Sequence, residues 1–362
     1  MSKIISIATK VPEYKYDQHS LFNFADRVYK NDSAESRKLR FYYNLSGIET
    51  RYSALPDFDL TQNNRVLFSN SEDEKKYPTL EKRMDFFRDY AADLSCKAIV
   101  SCIEGKIPKN KITHLITVSC TGMSAPGMDL QIIEQLELPV DIVRLSVNFM
   151  GCYAALHGLK IADSFCKADK NANVIVVCTE LCTIHFQKEN NQDNITSSLL
   201  FGDGSAAVLI NSSDEKGINL KSFYSEVSPQ GKNDMSWQLS SKGFLMKLSG
   251  YVPDLLNNDF KKICSNALHK TGNTIDDVKH WCIHPGGKKI LEAIEKSIGK
   301  EKGNFKHSYD VLKNYGNMSS PTILFVLQKF FIELKETEDD SIVFGAAFGP
   351  GLTTETFTAI YG

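Results

Sequence analysis

The sequence has no apolar run approaching the roughly 18–20 residues that a membrane-spanning helix needs. Its first residues, MSKIISIATKVP, are typical of a short strand and lack the charged and apolar regions of a signal peptide. The 42 basic and 44 acidic side chains leave a formal net charge of -2, which gives no field to attract nucleic acid or an anionic membrane. We therefore expect a cytoplasmic protein with no membrane span and no nucleic-acid partner.

The cysteine pattern excludes two further classes of protein. There are nine cysteines, an odd number, and no two of them have the CxxC spacing of a structural zinc site. Several stand among apolar neighbours, where a thiol behaves as a small hydrophobic group. We expect neither disulfides nor structural zinc. These embedded cysteines are Cys96, Cys102, Cys166 and Cys178.

Short β-rich runs alternate with helical patterns along the 362 residues, which favours an α/β fold. No Pro/Gly/Ser-rich linker separates them, and the polar stretch Asn31–Lys82 is expected to be helix and loop covering the entrance side. The predicted strands are His114–Ser119, Val174–Cys178, Ala206–Ile210, His280–Ile283 and Ser341–Phe344. The predicted helices are Leu130–Leu136, Cys152–Lys167, Ile290–Ile298 and Pro321–Leu334.

Three ordered matches within the sequence indicate an internal duplication. Their offsets are 166, 165 and 167 residues. This near-constant offset is stronger evidence for a duplication than any single match. The matched segments are 113–122 with 279–287, 149–158 with 315–324, and Ile175-Val176 with Ile342-Val343. Two copies of one βαβ-containing unit would bring equivalent loop ends to a common centre. The chemically interesting residues on those loop ends are Cys120, Cys152, His284 and Asn317.

Cys152 follows Gly151 and directly precedes an almost wholly apolar helical stretch. Free backbone N–H groups and the positive dipole end at a helix start favour thiolate over thiol. We therefore expect Cys152 to be unusually acidic and reactive, although most cysteines among apolar neighbours are inert.

Two polar residues occupy similar positions. His284 follows a predicted strand and precedes Pro-Gly-Gly, at a sheet edge where an imidazole could pair with a thiolate or donate to an oxyanion. Asn317 precedes another apolar helix, where it could cap that helix or direct its amide N–H₂ at a substrate carbonyl. Each has an ordinary structural alternative.

Five motifs together resemble those of type III polyketide synthases, the chalcone synthase-like branch of the thiolase superfamily. The match extends from about Ser46 to the C-terminus in order and spacing. The motifs are GC at 151–152, LFGDGSAAV at 200–208, HPGG at 284–287, YGNMSS at 315–320 and FGPGLTTET at 348–356.

The resemblance implies a five-layered αβαβα thiolase-like fold of two halves, 1–215 with the nucleophile and 216–362 with the histidine and asparagine. It implies a homodimer with one active site per subunit and no metal or redox cofactor. Cys152 would carry the acyl chain, while His284 and Asn317 would hold the enolate formed when malonyl-CoA loses CO₂. The product would be a secondary metabolite.

The resemblance also assigns the substrate cavity. Phe201 matches the phenylalanine between the pantetheine tunnel and the cavity, and Met246 replaces a second large aromatic of the plant enzymes. Other positions expected around the substrate are Cys120, His185, Trp237, Ser319, Gly349, Pro350 and Gly351. Cys120 in SCTG and the 235–249 pattern are similar to bacterial members that make alkylpyrones, alkylresorcinols or naphthalenols. We therefore expect a fatty acyl starter.

The thioester entrance departs from the plant pattern. Three basic plant residues align with Lys38, Phe41 and Leu45, so one charge of the three remains. Other basic residues that could contact CoA phosphates are Arg37, Arg40, Lys288 and Lys289. The starter could thus arrive on CoA or on an acyl carrier protein. The cross-subunit methionine of the plant dimer aligns with Ala125.

Two related enzymes and one non-enzyme remain as alternatives. A ketoacyl-ACP synthase III-like enzyme shares the Cys–His–Asn set and usually stops after one condensation, but HPGG and FGPGLT favour the polyketide branch. A hydroxymethylglutaryl-CoA synthase-like enzyme needs a catalytic glutamate, and we interpret Glu180 as structural. A catalytically silent carrier-binding partner would have no reason to retain Cys152, His284 and Asn317.

Overall fold

The computed structural model describes residues 2–61, 64–68, 77–337 and 340–362, apart from the side chains of 302 and 335–337. The strands are β1 Lys3–Lys10, β2 Tyr14–Asp17, β3 Thr50–Ser53, β4 His114–Ser119, β5 Val143–Asn148, β6 Val174–Leu181, β7 Asp203–Asn211, β8 Ile218–Val227, β9 Met235–Ser240, β10 Gly243–Leu248, β11 His280–Ile283, β12 Ile342–Gly349 and β13 Thr353–Tyr361. The helices are α1 Gln18–Tyr29, α2 Ser33–Leu45, α3 Leu80–Ile103, α4 Met128–Leu136, α5 Ala154–Ala168, α6 Gln192–Leu200, α7 Val252–His269, α8 Lys288–Ile298, α9 Lys306–Tyr315 and α10 Thr322–Thr337.

Nine strands form one mixed sheet in the order β11-β12-β13-β8-β1-β7-β6-β4-β5. Strand β1 joins its two parts, because Ile4 pairs antiparallel with Ile210 of β7 and with Ile218 of β8. Two small ribbons, β2–β3 and β9–β10, lie outside this sheet. The division expected at 215/216 falls between β7 and β8.

The two parts of the sheet repeat one pattern. The run β1-β7-β6-β4 has the same order and strand directions as β8-β13-β12-β11, with a parallel pair at the far end of each run. Helix α5 lies between β5 and β6, and α10 lies between β11 and β12. The duplication predicted from the three sequence offsets is therefore confirmed in the topology.

Alternating side chains on the strands build five layers. On β6, Ile175 faces a core shared with helices α1 to α4, while Val176 faces a second core that contains α5 and α10. On β12, Val343 faces this second core and Phe344 faces a third one beneath α7 and α8. Successive strand residues point to opposite faces, so each strand serves two cores. The expected αβαβα arrangement follows, with α5 and α10 in the central layer.

The central helices approach the sheet closely because α5 contains Gly158. A Cβ atom there would lie 2.7 Å from Val176 Cγ1 and 3.3 Å from Val118 Cγ2. Burial against both parts of the sheet explains why α5 is apolar almost all round.

All nine predicted elements are present, with shifted ends. Helix α5 begins at Ala154 rather than Cys152, because Cys152 lies in a turn that Ala154 N–H closes onto the Gly151 carbonyl at 3.0 Å. The stretch Asn31–Lys82 contains helix, as expected, but also strand β3, which was missed; residues 62–63 and 69–76 lie outside the described part. Among the described residues, no helix has the length and hydropathy needed to cross a membrane.

Candidate active site

Cys152 stands on a sharp turn between β5 and α5. Phe149 and Gly151 have φ angles of 62° and 87°, in the left-handed region. A Cβ on Gly151 would lie 2.4 Å from Pro350 Cδ, so only glycine lets this turn contact the loop between β12 and β13. The turn places Cys152 almost fully buried at the start of α5.

Asn317 reaches Cys152 from the other half of the molecule. Its N–H donates to the Leu200 carbonyl at 2.9 Å, and its own carbonyl accepts from Gly202 N–H at 3.0 Å. Its side-chain Oδ1 accepts from Ser319 N–H at 2.8 Å, which leaves Nδ2 to face Cys152 Sγ, 3.9 Å away. The amide is thus held by backbone bonds with its donor directed at the sulfur.

His284 follows β11 and is fully buried. Its N–H donates to the Ala346 carbonyl at 2.8 Å, but neither ring nitrogen has a hydrogen-bond partner among the described residues. A Cβ on Gly286 would lie 3.8 Å from His284 Nε2, and the Gly286 carbonyl lies 3.4 Å from Asn317 Nδ2. Burial lowers the pKa of His284 to about 3, so the imidazole is neutral at physiological pH.

Burial also raises the pKa of Cys152 to about 11. The hydrogen bonds from Ser319 and Asn317 lower this pKa, while the negative charge of Glu180 raises it. The expectation of an acidic Cys152 is therefore wrong, because the cost of desolvating a thiolate exceeds the benefit of the helix start. Cys152 is therefore a thiol and His284 a neutral imidazole when no substrate is bound, and a proton acceptor is needed when the sulfur attacks.

Glu180 connects the two halves beside this pair. Its buried carboxylate accepts from Cys120 N–H at 2.8 Å, from the Thr121 hydroxyl at 2.7 Å and from the Ser320 hydroxyl at 2.6 Å. Burial raises the pKa of Glu180. These bonds join the loop after β4 to the loop before α10, which agrees with the structural role expected for it.

A cavity of about 30 Å³ adjoins Cys152. Three of its residues, Thr121, Cys182 and Met235, were not identified from the sequence. Cys182 directly follows the carboxyl end of β6, and Thr121 lies two residues after the end of β4. Side chains gather at the carboxyl ends of parallel strands, so strand ends could have indicated both residues. The expected substrate residues that line the cavity are Cys120, Phe201, Trp237, Met246, Ser319 and Pro350.

The other three expected substrate residues, His185, Gly349 and Gly351, do not line this cavity. His185 Nδ1 accepts from Phe244 N–H at 3.1 Å, and its Nε2–H donates to the Thr121 carbonyl at 2.7 Å. Gly349 lies against the Tyr153 ring, where a Cβ would come within 2.6 Å, and Gly351 turns the chain with a φ of 129°. Both ring nitrogens of His185 are therefore hydrogen-bonded, which holds its ring in place.

A second, apolar cavity of about 50 Å³ lies behind the first and also has His185 in its wall. The cavities share four lining residues, Cys182, Phe201, Trp237 and Met246. Trp237 is held in place because its indole N–H donates to the Cys120 carbonyl at 2.7 Å. Met246 pairs with Trp237 across the β9–β10 ribbon and also borders an outer groove beside α6. The lining of the second cavity includes Leu21, Phe24 and Phe58, together with polar side chains such as Arg51 and Gln187.

The expected portal residues form two groups near the end of α2. Arg37, Lys38 and Arg40 are exposed on α2, whereas Lys288 and Lys289 begin α8. Lys288 lies beside the C-terminal end of α2, since a Cβ on Gly47 would lie 3.4 Å from Lys288 Cδ. In the described part of the chain, no cluster of three His, Cys, Asp or Glu side chains could hold a metal ion.

Two family profiles cover nearly the whole chain. "Chalcone and stilbene synthases, N-terminal domain" matches residues 1–214, and the corresponding C-terminal domain matches residues 219–360. "Type III polyketide synthase C" of Arabidopsis thaliana is 28% identical over 98% of this chain and 94% of its own length. "Probable polyketide synthase 1" of Dictyostelium discoideum is 29% identical over 98% of this chain, which spans only 11% of that protein.

Two solved structures are also similar to this chain over nearly its whole length. The structure of PKS-I from the brown alga Ectocarpus siliculosus superposes with a TM-score of 0.93 at 25% identity, over 100% of this chain and 98% of that one. The C-terminal type III polyketide synthase domain of Steely1 from Dictyostelium, a type I/III hybrid, gives 0.91 at 28% identity, over 99% of both chains.

His284→Ala should change how the reactivity of Cys152 depends on pH. Without the imidazole, alkylation requires free thiolate, so its rate should rise about tenfold per pH unit from pH 7 to 10, below the thiol pKa of about 11. In the wild-type protein, Cys152 should be alkylated faster near pH 7, and the rate should vary less with pH, because His284 accepts the proton. Iodoacetamide labelling of Cys152, followed by peptide mass spectrometry, measures both rates.

Asn317→Ala is the matched control, since it removes a polar neighbour of the sulfur but leaves the base. It should keep the shallow pH dependence of the unchanged protein. Identical profiles in all three proteins would exclude His284 from activation of the thiol.

Proposed function

The chain belongs to the chalcone and stilbene synthase family of condensing acyltransferases and is a type III polyketide synthase; we propose that it extends a fatty acyl starter on Cys152 with malonyl-CoA. The extended chain would then cyclise to a pyrone, a resorcinol or a similar product. One observation carries the choice of starter. An apolar cavity lies behind the cavity at Cys152, separated from it by the side chains that both share.

In the first step the Cys152 sulfur attacks the thioester carbonyl of the starter while His284 takes the thiol proton. The bond from the carbonyl carbon to the carrier sulfur breaks, and the imidazolium returns the proton to the departing thiolate. The starter is then bound to Cys152 as a new thioester. The neutral, unpartnered imidazole supports this assignment, because a base already bonded to a neighbour would first have to lose that bond.

In the second step malonyl-CoA loses CO₂, and the electron pair of the broken C–C bond passes into an enolate. Asn317 Nδ2 and the His284 ring both lie close to Gly286, and each would donate an N–H to the enolate oxygen. Loss of one such donor typically costs about 10²–10³ in rate. The enolate carbon attacks the acyl carbonyl and expels the Cys152 thiolate, so the chain gains two carbons per cycle.

The tail of the starter would enter the second cavity past Met246. Trp237 is held by its bond to Cys120, whereas the unbranched Met246 side chain has several rotatable bonds and can move aside. Beyond it the walls include Leu21, Phe24 and Phe58, which would surround an alkyl chain. Each methylene buried there would add about 0.8 kcal/mol of binding free energy.

The small size of the cavities favours a second candidate function, in which the starter is short. At about 30 and 50 Å³, both are smaller than a cavity of roughly 150 Å³ that holds benzene. If Met246 stays in place, only acetyl- or malonyl-type starters fit beside Cys152.

We also propose that two copies of the chain form a homodimer in the cytoplasm and that no metal or redox cofactor takes part. Strand β5 supports the dimer, because it is the last strand of the nine and an exposed sheet edge favours association. Val143 and Leu145 on this strand are exposed, and Val140 before it is fully exposed. The nine cysteines are all free and buried, which suits a reducing compartment.

Cys152→Ala should abolish product formation from acyl-CoA and malonyl-CoA, because no other group can hold the growing chain. Cys152→Gln should still release CO₂ from malonyl-CoA, since its amide resembles an acylated cysteine and leaves His284 and Asn317 in place. Product and CO₂ are measured together by mass spectrometry and ¹⁴CO₂ release. More than a few per cent of product from the alanine variant, or equal CO₂ from both variants, would contradict the proposed roles.

The starter preference is tested with malonyl-CoA and acyl-CoAs from C2 to C16. We expect kcat/KM to increase with chain length until the second cavity is filled, and the products to contain more than one extension unit. Met246→Phe should reduce the long-chain values by about tenfold or more while changing the C2 value little, because a rigid ring closes the passage. Met246→Leu, of similar volume, is the control.

A preference for the shortest starters would support the second candidate. Products with only one extension unit would indicate a ketoacyl-ACP synthase III-like enzyme. The absence of any product would indicate a catalytically silent protein.

A further inference from the structure

We propose that the exposed face of α2 is a docking surface for an acidic acyl carrier protein that delivers the starter as a phosphopantetheine thioester. This inference rests on the proposed function, since it names the partner that supplies the same site. The surface, called here the α2 face, consists of Arg37, Lys38, Arg40, Phe41 and Leu45.

Two large apolar side chains lie at the C-terminal end of the α2 face. Phe41 is 59% exposed and Leu45 is 53% exposed, and residues four apart lie on the same side of a helix. The only buried residues of α2 are Leu39 and Tyr43, which point inward. A folded domain does not need exposed Phe and Leu side by side, and such pairs commonly anchor a partner protein.

Three positively charged side chains precede this pair on α2. Arg37, Lys38 and Arg40 are exposed, and none of them forms an ion pair with a carboxylate of the described residues. Arg40 lies over the Phe22 ring at 4.9 Å and Lys38 over the Tyr42 ring at 5.8 Å. The acidic residues of α2, Asp32 and Glu35, bond to each other's backbone at the far end of the helix, where Asp32 is near enough for Arg37 to lower its pKa.

This arrangement complements a partner that has acidic residues beside an apolar contact. Opposite potentials across such a surface speed association and fix the orientation of the partner, while the apolar contact supplies affinity.

The α2 face is connected to the catalytic residues through helix α6. The Tyr43 hydroxyl donates to Ser198 Oγ of α6 at 3.1 Å, and α6 ends at Leu200. Leu200 accepts from the N–H of Asn317, which faces the Cys152 sulfur. A partner on α2 would therefore sit one helix away from the catalytic residues.

Two other occupants fit the α2 face less well. Free CoA would use the positive charges for its phosphates but gains little from two exposed apolar side chains. An anionic membrane would need a broad apolar helix face, whereas α2 is held by Leu39 and Tyr43 and offers only Phe41 and Leu45.

The test compares hexadecanoyl-loaded acyl carrier protein with hexadecanoyl-CoA as starter, with malonyl-CoA constant. In the double variant Phe41→Ser/Leu45→Ser we expect kcat/KM to fall about tenfold or more with the carrier protein and less than about twofold with CoA. Ile332→Ser is the matched control, because Ile332 is 58% exposed on α10 and should affect neither donor. Arg37→Ser/Arg40→Ser should flatten the decrease of the carrier reaction with increasing salt.

Each other result has a definite meaning. Turnover of acyl-CoA but not of the acyl carrier protein by the unchanged enzyme overturns the docking proposal and leaves the proposed function intact. Equal losses with both donors assign the α2 face to CoA and overturn the proposal as well. Phosphatidylglycerol vesicles that bind the unchanged enzyme but not the Phe41→Ser/Leu45→Ser variant would assign it to a membrane. No product from either donor contradicts the proposed function itself.

Discussion

The desolvation of Cys152 is the constraint on which the chemistry of the site depends. Enclosed by two halves of the fold, the thiol has a pKa of about 11, and the same burial keeps His284 neutral. A thiolate and an imidazolium would each be costly in such surroundings, so the resting site holds neither. Charge would appear only as the sulfur attacks an electrophile and His284 takes its proton.

The duplicated fold explains how residues 165 positions apart come to share one site. Each copy contributes a central helix, and the starts of α5 and α10 meet where Cys152 faces Asn317. Because no regular hydrogen-bond ladder joins these loop ends, isolated polar bonds must hold them. Glu180 binds the Ser320 hydroxyl across the two halves, and Asn317 exchanges backbone bonds with Leu200 and Gly202. The catalytic geometry is therefore fixed mainly by groups that do not react.

Much of the fold could be predicted from the sequence, because buried strands and helices have regular patterns of apolar residues. Strands buried on both faces appear as apolar runs, and a repeated run at a fixed offset predicts a repeated fold. The protonation state of Cys152 could not be predicted, because the helix start is visible in the sequence whereas the extent of burial is not. Likewise, alignment placed His185 at the cavity, but its two hydrogen bonds depend on where Phe244 and Thr121 come to lie.

The central claim is that a buried Cys152 accepts the starter with His284 as base, and acyl transfer can be observed directly. The protein is incubated with hexadecanoyl-CoA in the absence of malonyl-CoA, and the masses of the intact chain and its peptides are measured over time. The account predicts one hexadecanoyl group, located on Cys152, formed rapidly in the unchanged protein and at least about tenfold more slowly in His284→Ala. No mass increase on Cys152, or equal rates in both proteins, would contradict it.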